Sequence, residues 1–407
     1  MITMQSTKYQ VFALALLFVA GAFTGCLGDD DDDDTTTTKT SVKIGFMNPI
    51  TGPLEPDAPG FTWGANEAIS DLNKAYPDYN FELVEVDSGC DGTPAAAGAQ
   101  TLVDSGVVAV AGAACSGASM GANAVLSAAA IPMISYASTN PGLSDAEAYP
   151  LFYRVVPSDA IQGPAGTDMM VDAGVKSGEL AILHMTNDYG SGLADSIKAA
   201  WENKTSDGQT LCGAGMQGYV DTTTDFSALA ESISGDATCK AVYLSSYIQD
   251  AAGIIEALKD DGWDGKIFAG DGPAGVGLYE KMANNTEATN VTVSAPRAGS
   301  TYGDFEARYD ANAAEVGSIK TYVLTTYDSV MMIGEAATMT GAINTNIKSV
   351  GTGFEGASGK LTFLDNGDVG GAGYDICTYS GDTTDANSGY SCSKYWTATG
   401  GVQSVAA

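Results

Sequence analysis

Short, near-continuous apolar runs alternate with amphipathic stretches along most of this chain, and no other feature constrains its fold so strongly. Val42–Met47, Phe81–Val86, Val107–Gly112, Pro132–Ser135, Leu180–His184, Ala241–Ser245, Lys266–Ala269 and Val291–Ala295 read as strands. Several lack polar alternation, as strands covered on both faces require. Between them, Ala65, Ala68, Ile69 and Leu72 recur at helical spacing, which turns one stripe of a helix inward. Pro94–Asp104, Ser119–Ala130, Gln162–Ala173, Gly192–Trp201, Phe226–Ile233, Asp250–Asp260, Phe305–Ala314 and Thr321–Thr340 carry similar helical patterns. Such alternation predicts an α/β protein with mostly parallel, doubly wound sheets. Two sheets suit 407 residues better than one. The chain is expected to cross between two lobes at Arg154–Pro157 and Ser294–Arg297, and a third time near Phe354. Residues 42–156 plus 295–354 then form the first lobe, and 157–294 plus 355–407 the second, with a tail of β-hairpins.

The start of the chain reads differently. Lys8 precedes an apolar run, Val11–Phe23, that is too short to span a bilayer comfortably and has the length of a signal-peptide core. Thr24-Gly25-Cys26 follows, a lipobox-like ending that makes Cys26 the expected lipidated residue of an exported protein. Residues 27–41, with Asp29–Asp34 and Thr35–Thr38, are too polar to bury a core and read as a stalk. Setting Cys26 aside leaves six cysteines, an even set that suggests disulfides in an oxidising compartment. Pairing sequence neighbours (Cys90 with Cys115, Cys212 with Cys239, Cys377 with Cys392) is the simplest of the 15 possible connectivities. Structural zinc is disfavoured: there is no CxxC, and His184 is the only histidine. The 50 acidic against 18 basic residues, net −32, exclude a nucleic-acid partner and a polybasic membrane surface.

Open parallel sheets bind ligands beyond the carboxyl ends of their strands, where helix N-termini offer free N–H groups. The residues just past each expected strand are therefore the candidate site: Ser116, poised to cap the next helix; Ala137, Ser138 and Thr139; Tyr189; Tyr247; and Asp271. Hydroxyls and helix N-termini suit a carboxylate, whereas an acid beside aromatic rings suits an ammonium and an apolar body. Together they make an amino-acid-shaped demand. Taken singly, each has an ordinary alternative, as a helix cap (Ser116, Thr139), a packing residue (Tyr189, Tyr247) or a turn residue (Asp271).

Ile44-Gly45, Thr51-Gly52-Pro53, Gly64-Ala65, Asp87 with Cys90, Cys115-Ser116, Ile134-Ser135, Thr139-Asn140-Pro141, Asp188-Tyr189-Gly190-Ser191-Gly192 and Tyr327-Asp328 follow one another in order. This series resembles the branched-chain amino-acid-binding proteins of ABC transporters, from Val42 to about Leu364. The resemblance implies a two-lobed type I periplasmic-binding fold with a hinge, a small amino-acid-like ligand and a membrane permease as partner. It also implies a first-lobe disulfide at Cys90 and Cys115, and no cofactor. By the same resemblance, the Ser116 and Thr139 hydroxyls hold the ligand carboxylate, the Ala137 carbonyl accepts the ammonium, and Tyr189 and Tyr247 close over the ligand. Two departures stand out. Ala274 occupies the Gly-Pro-Glu-Gly turn where the family has its ammonium-binding glutamate, leaving Asp271 as the replacement charge. The aromatic residue usual in the first loop is replaced around Asp57.

Two other classes compete. A Ser-His-Asp hydrolase would have to be built on His184, which lies inside a strand pattern, and no phosphate loop or HExxH is present, so no enzymatic role is expected. A ligand-sensing receptor component on the same fold is the closer rival.

Overall fold

The computed structural model describes residues 39–205, 208–299, 304–316, 319–385 and 388–405. The signal core, the Cys26 lipobox and the stalk up to Thr38 lie outside the described residues. Pairing in the first sheet already begins at Thr40, so Thr40 and Ser41, read above as the end of the stalk, belong to the first strand.

That sheet comprises β1 (Thr40–Asn48), β2 (Tyr79–Asp87), β3 (Val110–Ala111), β4 (Met133–Ser135) and β5 (Phe152–Arg154), in the order β2-β1-β3-β4-β5 with every pairing parallel. Its crossovers include α1 (Ala58–Ala75), α2 (Gly92–Ser105) and α3 (Ser116–Ala128). The stripe on α1 is buried as its spacing requires, with Ala65, Ala68 and Leu72 fully covered.

The second sheet follows α4 (Asp159–Asp172). It runs through β6 (Leu180–Met185), α5 (Asp188–Glu202), β7 (Leu211–Tyr219), α6 (Ser227–Ser234), β8 (Ala241–Ser245), α7 (Ile248–Asp260), β9 (Lys266–Ala269), α8 (Gly277–Lys281) and β10 (Thr292–Pro296). β7, β6, β8, β9 and β10 pair in parallel. The chain then returns to the first sheet with α9 (Phe305–Val316) and α10 (Lys320–Thr338). Phe305 stacks on Trp63 of α1, and α10 packs along α1, β1 and β3. After α11 (Ile343–Val350) and the hairpin β11 (Thr352–Gly356)–β12 (Gly359–Thr362), three antiparallel strands complete the second sheet: β13 (Tyr374–Tyr379), β14 (Tyr390–Thr397) and β15 (Gly401–Ser404).

The last crossing comes later than Phe354. Asp328 of α10 accepts from the Ala357 and Ser358 amides at 2.6 and 2.8 Å, which ties the β11–β12 hairpin to the first-sheet side. Phe363 then packs on Tyr153, and Asp368 pairs with Arg154, before the chain reaches β13. The three disulfides join sequence neighbours: Cys90–Cys115, Cys212–Cys239 and Cys377–Cys392, the last linking residues paired across β13 and β14.

Candidate functional site

The expected site residues gather where the two sheets' strand ends face one another. Ser116, Ala137, Tyr189, Tyr247 and Asp271 line one small cavity, together with Leu54, Asp57, Phe61, Ile319 and Tyr322. Its volume in this conformation is about 20 Å3, room for little more than one water molecule.

On the first-sheet side, β3 runs into Cys115, which occupies the N-cap position, so Ser116 is the first residue of α3 and not its cap. Its Oγ instead accepts the Asn140 amide at 3.2 Å. A serine lattice fixes the adjoining loop. Ser135 Oγ donates to the Ala113 carbonyl (2.6 Å) and accepts the Ser138 amide (2.9 Å). Ser138 Oγ meets Ser119 Oγ at 2.8 Å and the carbonyls of Ala113 and Ala114 at 3.1 and 3.0 Å. The Ser138 side chain is thus spent on holding two loops together and does not line the cavity.

Thr139 does not line the cavity either. It is fully buried, and its Oγ1 makes no hydrogen bond of ordinary geometry but lies close enough to the Asp159 carboxyl to favour that group's charged form. Its carbonyl accepts the amide of Asp159, the first residue of α4. Arg154 holds the loop from below: Nη1 donates to the carbonyls of Ser138 (3.3 Å) and Asn140 (3.0 Å), one on each side of Thr139. Its Nε donates to Asp368 at 2.6 Å and its Nη2 to Ser144 Oγ at 2.7 Å. A buried guanidinium with all three nitrogens engaged is a rigid jig for the loop.

The second-sheet side is aromatic and acidic. Tyr189, in the first turn of α5, stacks on Tyr247, the N-cap of α7, with ring centroids 4.9 Å apart and planes 15° off parallel. Tyr189 OH donates to Asp271 Oδ1 at 3.0 Å and accepts the Gly272 amide at 3.1 Å. Tyr322 of α10 donates to the other oxygen of Asp271. The Tyr247 hydroxyl reaches across to within 3.8 Å of Cys90 Sγ. Ala274 lines a neighbouring cavity with Asp57 and Ile319, so the turn lacking its glutamate sits beside the Asp271 site.

Burial pushes the Asp271 carboxyl up, against the pull of the two phenol hydrogen bonds. Asp159 was not foreseen, and it is the more extreme case. It is fully buried, and neither carboxylate oxygen makes a hydrogen bond of ordinary geometry, the Thr139 hydroxyl being a near neighbour. Burial and then the Asp271 charge drive its pKa far upward, and nearby Thr139 and Arg154 only partly oppose them. The signal for it was present: Ser158 followed by Asp159 is a helix start, and Ser158 Oγ does accept the Ala160 amide. Tyr322 carried no such signal, lying inside an otherwise ordinary helical pattern. His184 is far from any triad-like role: it lies in β6, its Nδ1 2.8 Å from the Met185 carbonyl.

The profile of a family described as "Receptor family ligand binding region" matches residues 64–382. The "Leucine-, isoleucine-, valine-, threonine-, and alanine-binding protein" of Pseudomonas aeruginosa is 27% identical over 357 residues, covering 84% of this chain and 91% of that protein. The Leu/Ile/Val-binding protein of Escherichia coli K12 is 26% identical over 256 residues, 62% of this chain and 67% of that protein. Among solved structures, the branched-chain amino acid transporter substrate binding protein LivJ of Streptococcus pneumoniae, in complex with isoleucine, superposes with a TM-score of 0.73 at 24% identity, covering 84% of this chain and 97% of that one. The leucine binding protein LivK of Thermotoga maritima gives 0.71 at 21% identity, covering 90% and 98%. The two-lobed architecture is common to all of these structures and this chain.

Proposed function

Since the chain belongs to the family of receptor ligand-binding regions, we propose that it is the extracytoplasmic substrate-binding component of an ABC importer, capturing a small amino-acid-like solute between its lobes. One observation carries this reading. Asp271 is buried and acidic on one wall of the cavity, and the N-terminus of α3 with Ser116 forms the opposite wall, so the two walls match an ammonium and a carboxylate. The relatives named above are binding proteins for aliphatic and small amino acids, which supports both the role and the absence of catalysis.

In this reading, the ligand carboxylate docks at the Ser116 and Thr139 hydroxyls, in a loop that Arg154 already holds by its carbonyls. The ammonium meets the Ala137 carbonyl and then Asp271. A cavity of about 20 Å3 is smaller than any amino acid, so capture requires the lobes to swing apart and close again around the ligand. Contacts made only in the closed form shift the population toward it, and a permease reads that form. Residues 42–156 with 295–354, and 157–294 with 355–407, are our lobes, with residues 355–368 moved to the first because they pack on Tyr153, Arg154 and α10. Cys26 is the proposed lipid attachment point, tethering the protein outside the cytoplasm. No helix among the described residues is long and apolar enough to cross a membrane.

The test is calorimetric titration of the full chain with zwitterionic amino acids, their amides and the corresponding carboxylates. Tight binding confined to compounds bearing both ammonium and carboxylate is the expected result. Equal binding of the amides would remove the carboxylate assignment, and no binding at all would remove the importer reading.

A further inference from the structure

A second and larger cavity, of about 340 Å3, lies at the hinge itself. All three crossings wall it: Val155–Pro157 from the first, Pro296 and Arg297 from the second, and Val369–Ala372 from the third. The backbone segments around it approach so closely that two of their contacts leave room only for glycine. A Cβ on Gly359 would stand 2.8 Å from Gly299 Cα, and one on Gly371 would stand 2.9 Å from the Pro157 ring. The volume that remains is of the size that small organic ligands occupy, and its walls are more apolar than polar.

Its charge is the anomaly. The chain carries 50 acidic residues, yet among the described residues no aspartate or glutamate lines this cavity, whereas two of its 18 cations, Arg297 and Lys360, do. Arg297 is held by stacking on the Tyr395 ring, 3.8 Å to the centroid, and its Nε lies 3.6 Å from Asp375. Its Nη1 is buried and has no hydrogen-bond partner among the described residues. Lys360 has a carboxylate, Glu355, only at 3.9 Å, and both are more than half exposed. That nitrogen is closed off from the cavity, so it is the rest of the Arg297 guanidinium, together with the Lys360 ammonium, that the cavity presents to an anion.

We propose that the hinge cavity is a second ligand site, for a small organic monocarboxylate with an apolar body. The carboxylate sits against Arg297 and Lys360, and the body against Val155, Leu361 and Val369. The site also reports on the first. Thr321 and Thr325 of α10 line the hinge cavity, while Tyr322 of the same helix lines the inter-lobe cavity and holds Asp271. Lobe rotation must change the shape of a cavity built from all three crossings. A ligand that fits one shape better therefore shifts the hinge equilibrium. The site stands whether or not the cleft takes an amino acid.

The experiment is titration of the full chain with isovalerate, with isovaleramide and with inorganic phosphate, followed by calorimetry and by NMR shifts. Isovalerate is expected to bind saturably, with isovaleramide and phosphate each at least tenfold weaker. Arg297→Met and Lys360→Met should each weaken isovalerate at least tenfold. Should Arg297→Met unfold the protein, Leu364→Trp, at an exposed rim position, tests the same cavity by filling it. Non-saturable binding, equal binding of the amide or phosphate, or binding unchanged in Lys360→Met and Leu364→Trp overturns the proposal. So does simple competition with the cleft's ligand, which would place isovalerate between the lobes. With both sites occupied, each ligand should change the other's affinity by the same factor, at least about fivefold; full independence overturns the coupling.

Discussion

The two walls of the cleft are built on opposite plans. The first-lobe wall is fixed before anything binds: serines 119, 135 and 138 lace its loops, Arg154 clamps the carbonyls around Thr139, and a disulfide closes at Cys115 beside Ser116. The second-lobe wall is a set of aromatic rings around an acid whose partners are phenols, one from its own lobe and one from α10. The first plan suits a group recognised by fixed dipoles. The second suits a group recognised by charge, because phenol hydroxyls can be exchanged for an ammonium without rebuilding the backbone. Under the proposed reading, recognition by position and recognition by charge fall to different lobes.

The largest effect should come from breaking the fixed wall at its root. Arg154→Met leaves Asp368 a buried, unpaired charge, which destabilises by about 3–5 kcal/mol. Chemical denaturation should show that loss, and Arg154→Met combined with Asp368→Asn should recover part of it. A mutant as stable as the parent would mean the loop holds itself.

The next test acts on the tether between α10 and the β11–β12 hairpin. Burial raises the Asp328 carboxyl to about 6, with hydrogen bonds from Ser358 and Ala357 opposing it. The folded state therefore keeps its proton over a range where the unfolded state has lost it. That contribution is fully present below about pH 4 and fades as pH rises through about 6, a change on the order of 3 kcal/mol. Denaturation midpoints at pH 4, 5, 6 and 7 should show it, and Asp328→Asn should flatten the profile. An unchanged slope in that variant would reassign the effect to other carboxyls, of which Asp250, also raised to about 6, is the first to examine.

The charged wall predicts a different signature. Asp271→Asn should cost about 2–3 kcal/mol of affinity for ammonium-bearing ligands, read by calorimetry, while leaving stability unchanged or higher. Affinity in the parent should also fall on acidification, because protonating Asp271, whose pKa is raised by burial, competes with the ligand cation. Equal loss for neutral analogues would show that the wall recognises shape. The smallest effect belongs to Thr139→Val, which keeps the volume and removes the hydroxyl beside the Asp159 carboxyl. Stability should barely move, while affinity drops by about 1–2 kcal/mol through the lost hydrogen bond to the carboxylate.

How much of this was legible in the sequence depended on how continuous each signal was. β8 and β9 lie where their uninterrupted apolar runs placed them, at Ala241–Ser245 and Lys266–Ala269. β7 was invisible: Gly213, Gly215 and Gly218 interrupt Leu211–Tyr219, and only pairing with β6 makes it a strand. Helices α3, α4 and α5 begin earlier than their apolar stripes, because their first turns carry polar residues that interrupt the stripe, Ser116, Asp159 and Asp188 among them. That shift is why Asp159 went unnoticed while Tyr189 did not. Ser138 shows the converse: position in the right loop does not say which way a side chain turns. The role of Arg154, one of three arginines in the chain, was unreadable because its carboxylate comes from the far end of the sequence.

That distance has a consequence for how the protein is made. Arg154 and Asp368 are 214 positions apart, and the hinge is finished only when the third crossing is in place. A chain growing from its N-terminus can assemble β1 to β5 early but must carry an uncompensated guanidinium under its first sheet until nearly the whole polypeptide has emerged. The lock is supplied last. Nascent chains of intermediate length should therefore remain loose and protease-sensitive in the first sheet, and the molecule should tighten in one late step when Asp368 arrives.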